Sequence, residues 1–277
     1  GNALDNLLYG NAANNYLYGL SGNDAMNGGL GNDILQGGDG NDGLNGNVGN
    51  DLLDGGSGSD NLNGSTENDF LLGGTGNDTI TANTGYDVIA FNQGDGQDTL
   101  SASVGTDNTL SLGCGINYTD LALRKSGNNL ILETGGSERI TLQNWYNTGD
   151  NYKSVATLQV IAEAMSGFDA NGSNALLDNK VEAFDFEGLV EQFDQALAAN
   201  PTITSWAISD ALLDFHLGGS DSAAIGGDLV YQYGKAGALA GISTVAAQNI
   251  IANASFGQSA QTLQPLASLQ EGLVKLS

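Results

Sequence analysis

The chain has 277 residues, with 32 acidic against 7 basic side chains, a formal charge of −25, 42 glycines, 2 prolines and 1 cysteine. With no Lys or Arg before Arg124 it has no basic patch to neutralise phosphates, which argues against nucleic acid and anionic lipid as partners. The single Cys114 excludes an intrachain disulfide, and no apolar run is long enough to span a bilayer.

Along the first hundred residues Asp24, Asp33, Asp42, Asp51, Asp60, Asp69, Asp78 and Asp87 recur every nine positions, each two places before a large aliphatic side chain or Met. The register starts at Gly1 and restarts at Gly10, Gly19, Gly28, Gly37, Gly46, Gly55, Gly64, Gly73 and Ala82. Its eighth position is Leu8, Leu17, Met26, Leu35, Leu44, Leu53, Leu62, Leu71, Ile80 and Ile89. The clearest copies are Gly28-Gly29-Leu30-Gly31-Asn32-Asp33-Ile34-Leu35-Gln36 and Gly73-Gly74-Thr75-Gly76-Asn77-Asp78-Thr79-Ile80-Thr81. They resemble the calcium-binding nonapeptide of RTX proteins.

One inward side chain per repeat, beside a short strand with small or polar neighbours, predicts a parallel β-roll in which each nonapeptide makes one turn and one strand. Two repeats then complete a coil. Asp24, Asp42, Asp60 and Asp78 fall in one column of turns, and Asp33, Asp51, Asp69 and Asp87 in the other. Near Gln93-Gly94-Asp95-Gly96-Gln97-Asp98 the frame slips by two residues, and Asp98 continues the first column. Adjacent coils lie about 4.8 Å apart, close enough for two carboxylates and several turn carbonyls to share an ion.

Glycine suits such a turn because it tolerates positive φ and lets carbonyl oxygens converge. A hard Ca²⁺ takes six to eight oxygen ligands, whereas Zn²⁺ wants the His or Cys that these turns lack. The expected metal ligands are therefore these nine aspartates, for several Ca²⁺ ions. The resemblance adds backbone oxygens of Gly19, Gly28, Gly31, Gly37, Gly40, Gly46, Gly49, Gly55, Gly58, Gly73 and Gly76. Asn6 and Asn15 replace Asp in the first two repeats, so weaker or missing sites are expected there. An acidic stretch with one aliphatic anchor per repeat cannot close a core against its own repulsion, so ion binding and folding should coincide.

Beyond the repeats the pattern becomes strand-like. Leu121 and Leu123, Leu130 and Leu132, and Ile140 and Leu142 alternate with polar residues, and Gly135-Gly136 stands where a hairpin would turn. This predicts a β segment over 101–150 that covers the last coil and its unpaired strand edge. From about Val155 the apolar spacing reads as helical, giving a small helical region over 151–277. Phe186, Leu189, Val190, Phe193 and Leu197 predict a helix stopped at Asn200-Pro201, and Trp206, Leu212, Leu213 and Phe215 a second before Gly218-Gly219. Ser243 should cap a third, and Leu263 to Leu276 a last amphipathic one.

The only histidine, His216, lies near Asp214, Asp221 and Asp228, but a lone His at a helix end reads as a cap or core residue rather than a catalytic one. Asp169 to Asn174 imitates the start of an EF-hand loop and fails where the loop is strictest, with Asn174 at position six and Lys180 at position twelve. Ile225-Gly226-Gly227 through Tyr231, Tyr233 and Gly234 reads as a tight turn under aromatic rings. No catalytic residue is expected in this chain.

The resemblance implies export by a type I secretion system to the medium or cell surface. Its expected partners are the transporter, which would read a signal in the last tens of residues, and upstream domains, since residue 1 already lies inside a repeat. Two alternatives stay open: a calcium-dependent self-assembly or adhesion module of a surface-layer protein or adhesin, and the C-terminal part of a secreted hydrolase or cytolysin with its active domain upstream.

Overall fold

A computed structural model describes residues 1–101, 107–148 and 152–277 of the chain. Nine-residue spacing turns into strands at Leu7–Tyr9 (β1), Tyr16–Ser21 (β2), Ala25–Leu30 (β3), Ile34–Asp39 (β4), Gly43–Val48 (β5), Leu52–Gly58 (β6), Asn61–Thr66 (β7), Phe70–Gly76 (β8), Thr79–Thr84 (β9), Val88–Phe91 (β10) and Gln97–Leu100 (β11). Odd strands form one parallel sheet and even strands another, each strand pairing with the one a full coil away. Leu35 lies against Leu53, and Leu44 against Leu62. The eighth-position side chains from Met26 to Ile89 fill the space between the sheets, while Leu8 and Leu17 at the first coil are only partly buried. From the third repeat on, the second position takes left-handed backbone; Gly holds it in several copies, and Leu20, Asn47, Ser65 and Asn83 adopt it too.

Further along lie Asn108–Leu112 (β12), Ala122–Ser126 (β13), Asn129–Gly135 (β14), Glu138–Leu142 (β15), Val155–Val160 (β16), Val181–Asp185 (β17) and the helix Phe186–Ala199 (α1). Next come Trp206–Ala207 (β18), His216–Ser220 (β19), Ala223–Ile225 (β20), the helices Gly227–Ala236 (α2) and Thr244–Ile251 (α3), Ala260–Thr262 (β21) and the short helix Leu266–Leu269 (α4). Both sheets of the roll continue into this part. β15 pairs parallel to β11 and is followed outward by β14, β13 and β18, with the expected turn at Gly135-Gly136. β12 and β16 extend the even sheet in parallel, and β17 and β19 finish it antiparallel. The last coil is thus covered on both sides. α1, with Phe186, Leu189, Val190 and Phe193 buried, packs under Trp145, whose ring centroid lies 5.7 Å from that of Phe186.

Several helical expectations fail beyond residue 150, and the expected boundary at 150–151 falls outside the described residues. Val155–Val160 is a strand, because it inherits an open parallel edge from β12. Trp206 enters a strand, and only Leu212–Phe215 turns helically, as one 3₁₀ turn. Leu263 to Leu276 is not one helix: four residues are helical, and its leucines point different ways, Leu269 and Leu276 being buried and Leu273 fully exposed. Gly226-Gly227 opens a ten-residue helix rather than a closed turn. The helix to Asn200 and the Ser243 cap are as expected, the Ser243 hydroxyl accepting the Ala246 N–H at 3.0 Å.

Periodicity at nine residues also concealed a difference between the sheets. The seventh position of even repeats is Tyr16, Ile34, Leu52, Phe70 and Val88, whereas odd repeats carry Leu7, Ala25, Gly43, Asn61 and Thr79. These side chains face outward from the roll. In the even sheet they pack beneath residues 229–276 to make a second core, while Ala25, Asn61 and Thr79 in the odd sheet are exposed.

Leu53 is fully buried between the sheets and Leu30 is 52% exposed. Leu53→Ala should therefore destabilise the calcium-loaded protein by about 2–5 kcal/mol, and Leu30→Ala by no more than about 0.5 kcal/mol. Urea denaturation in excess calcium measures both.

Candidate metal centre

Because the coils stack in register, each aspartate of a column lies directly above the next. The backbone N–H of Asp24 donates to Oδ1 of Asp42 at 2.7 Å, Asp42 to Asp60 at 2.7 Å, Asp60 to Asp78 at 2.8 Å and Asp78 to Asp98 at 2.7 Å. The other column runs likewise from Asp33 to Asp51, Asp69 and Asp87, at 2.7, 2.8 and 2.9 Å. Asp98 continues its column as expected, across the two-residue slip. Asn6 and Asn15 donate into Asp24 and Asp33 from the first coil. Sequence reasoning missed the far end of the second column, where Asp87 N–H donates to Oδ1 of Asn108 at 2.9 Å. The repeat has lapsed there and the residue type has changed, so no periodic signal marks it.

One carboxylate oxygen is thereby used to stitch coils together. The other, Oδ2, is buried and has no hydrogen-bond partner in any of Asp24, Asp33, Asp42, Asp51, Asp60, Asp69, Asp78, Asp87 and Asp98. Buried carboxylate oxygens without a partner are costly, and a cation beside each of these nine would offset that cost.

Glycine carbonyls face the same spaces. A methyl group added at Gly19 would collide both with Oδ2 of Asp24 and with the carbonyl oxygen of Gly37, one coil on. Gly37 stands likewise between Asp42 and the Gly55 carbonyl, Gly55 between Asp60 and Gly73, and Gly28 between Asp33 and Gly46. The fourth-position glycines form separate stacks, Gly40 on the Gly22 carbonyl, Gly58 on Gly40 and Gly76 on Gly58 along one edge, and Gly49 on Gly31 along the other. No three His, Cys, Asp or Glu side chains converge among the described residues, so an ion held here draws largely on main-chain oxygens. Oxygen donors, irregular geometry and one or two carboxylates suit Ca²⁺.

Along the outer rim of the turns runs a second ladder, of opposite sense. Asn41 N–H donates back to Oδ1 of Asn23 at 2.8 Å, Asn50 to Asn32 at 3.0 Å, Asn68 to Asn50 at 3.0 Å and Tyr86 to Asn68 at 2.9 Å. The residue just before the aspartate, here Asn41, Asn50, Asn68 or Tyr86, therefore ties its turn to the preceding coil, leaving the aspartate free to face inward.

Other candidates do not assemble. His216 Nε2 lies 2.7 Å from Oε2 of the buried Glu182, whereas Asp228 accepts the Gln264 N–H and Asp221 the Lys180 N–H. Asp169 Oδ1 accepts the Asn171 N–H at 3.0 Å, a local turn in place of an ion loop.

Burial raises the proton affinity of the columns. Desolvation, with neighbouring carboxylates adding to it, pushes Asp51 and Asp98 to about 8 and Asp60 to about 7. Desolvation also lifts Asp87 to about 7 and Asp33 and Asp78 to about 6, against an ordinary 3.8, and drives Asp69 well above that value. Hydrogen bonds from the preceding turn pull each of them back only in part.

Stacked turns of this composition define a calcium-binding solenoid. Residues 1–35, 26–53 and 54–89 match the family model of the RTX calcium-binding nonapeptide repeat (4 copies), and this stretch is a run of RTX repeats folded as a β-roll. Among solved structures the chain is similar to the extracellular lipase LipA from Serratia marcescens, at 15% identity and a TM-score of 0.23, over 56% of this chain and 38% of the lipase. The chain thus spans well under half the length of that protein. No curated protein matches it.

Each raised carboxyl binds its proton more tightly in the folded, ion-free roll than in the unfolded chain, so folding takes up protons. That stabilisation is complete below about 3.8 and is lost as pH rises through about 6 to 8. In excess chelator, lowering pH from 8.5 towards 5 should thus increase the β signal, and at fixed protein concentration the calcium midpoint should rise as pH falls. Circular dichroism across that range measures both, and a chelated chain that loses β structure on acidification would contradict the burial of the columns.

Proposed function

We propose that this chain is a non-enzymatic calcium module of a secreted protein, in which ion binding at the two aspartate columns and folding of the roll are the same event. The nine buried, unpartnered carboxylate oxygens carry the reading. Asp24, Asp42, Asp60, Asp78 and Asp98 on one side and Asp33, Asp51, Asp69 and Asp87 on the other would hold the ions. Carbonyl oxygens of the first- and fourth-position glycines would complete the ligand sets. Bound calcium supplies positive charge between carboxylates that otherwise repel; the chain supplies spacing, oxygen donors and exclusion of water. Residues 1–100 act as the ion-binding roll, 101–150 as its cover, and 151–277 as the region that carries the export signal.

RTX repeat proteins are typically secreted, and extracellular calcium modules bind with dissociation constants of about 10⁻⁴ to 10⁻³ M. A chain with such affinity crosses a type I transporter as a flexible polyanion and orders itself where calcium is abundant. Upstream domains would be drawn into order behind it.

In chelator the roll should be disordered, and a calcium titration should restore its β signal where Mg²⁺ does not. Unchanged dichroism in chelator at pH 8 would refute the coupling. Asp51→Ala should raise the calcium midpoint more than Asp24→Ala, because Asp51 stands between Asp33 and Asp69 whereas Asp24 has the Asn6 turn on one side. Equal midpoints would mean that the columns do not act as nearest-neighbour stacks. For export, deletion of residues 258–277 should keep the chain inside cells that co-express its transporter, and full-length yield in the medium would place the signal elsewhere.

A further inference from the structure

The outward side chains of the even sheet form a surface that no single coil possesses. Ile34, Leu52, Phe70 and Val88 come from four successive coils, with Leu72 and Ala90 beside them, and all are buried. Their cover is the end of the same chain: Leu229, Val230 and Tyr233 of α2, Ala247 and Ile251 of α3, then Phe256, Leu269 and Leu276. The Phe256 ring meets Phe70 edge to face with centroids 6.4 Å apart. Polar contacts extend this docking towards the first coils. Asn50 Nδ2 donates to the Ile251 carbonyl at 2.6 Å, and the Ser277 hydroxyl reaches Gln36 Oε1 at 3.1 Å, an oxygen that also accepts from the Tyr16 hydroxyl.

Neither partner can hold this arrangement alone. Rows of the stripe come within one strand spacing, about 4.8 Å, only when coils stack. The covering segment offers helices of 10, 8 and 4 residues, all shorter than the roughly 12–15 residues that an isolated helix needs in water. Its buried leucines and Phe256 share their core with the stripe rather than with a core of their own.

We propose that residues 227–277 are an intrachain ligand of the ion-loaded roll: free in the calcium-free chain, masked in the loaded one. This rests on the reading that calcium folds the roll. A transporter or any other partner that reads the segment then meets it only before calcium binds. Because linkage is reciprocal, docking must tighten calcium binding as much as calcium tightens docking, although no residue of the segment lies in an aspartate turn of the roll.

Hydrogen exchange on the full chain tests the masking. Peptides from 240–277 should be protected in calcium and exchange rapidly in chelator, in step with the roll. Phe256→Ser leaves every turn and strand of the roll unaltered and should raise the calcium midpoint about fivefold or more, as should Phe70→Asp from the other side. Leu273→Ser, at a fully exposed position, should not move it. If 240–277 is equally protected with and without calcium while the roll's β signal still follows calcium, the masking is wrong and calcium-coupled folding stands. Unchanged midpoints in both aromatic variants would overturn the coupling in the same way. A roll whose β signal ignores calcium would remove the basis of both.

Discussion

Like charges stacked one strand spacing apart govern this molecule. Each column places buried carboxylates above one another, and at an effective dielectric of about 20 two such charges roughly 5 Å apart repel by about 3 kcal/mol. The same side chains supply the hydrogen bonds that tie coil to coil. Cohesion and repulsion therefore reside in one functional group, one oxygen serving each. Protons relieve the repulsion by removing charge, and a divalent cation relieves it while adding ligand bonds. What lies in the gap between turns therefore decides how much of that repulsion the stacked coils must bear.

Everything downstream depends on the stacking of the coils. The inward leucines gain a common core only when coils are stacked, the outward stripe exists only as a property of several coils, and β12, β15 and β16 need finished strand edges to pair with. The C-terminal region is not a separate bundle attached to a roll. Part of it closes the roll's end, and part runs back along its flank, where Gly257 lies against the Tyr86 backbone and Gly234 against Gly113. Those backbone contacts leave no room for side chains, so the two parts fit as one body.

The sequence displayed its nine-residue period openly, and with it the columns, the two sheets and every aspartate with an unpartnered oxygen. It also displayed, less visibly, an eighteen-residue period in the seventh position; reading one repeat at a time averages Leu52 and Phe70 with Asn61 and Thr79 and loses the signal. Past residue 150 local pattern was a poorer guide for a physical reason. Val155–Val160 is a strand because a neighbouring edge is available, and Leu269 and Leu276 are buried because a distant surface covers them, not because of helical phase. Where a helix stood by its own periodicity and stop signal, as at Phe186–Ala199, local reading sufficed.

The alternation of apolar and polar outer faces sets a unit of length for this architecture. Two nonapeptides return the chain to the same side, so loss or gain of eighteen residues shortens or lengthens the stripe by one row and keeps every partner in phase. Nine residues is different. Deleting Gly46 to Asp54 would leave an unbroken run of well-formed repeats, yet it would send every later strand to the opposite sheet, turning Phe70 and Val88 to the odd flank and Asn61 and Thr79 towards Phe256. A protein of this kind can change size only in whole coils, so the motif that repeats in its sequence is half the motif on which its evolution can act.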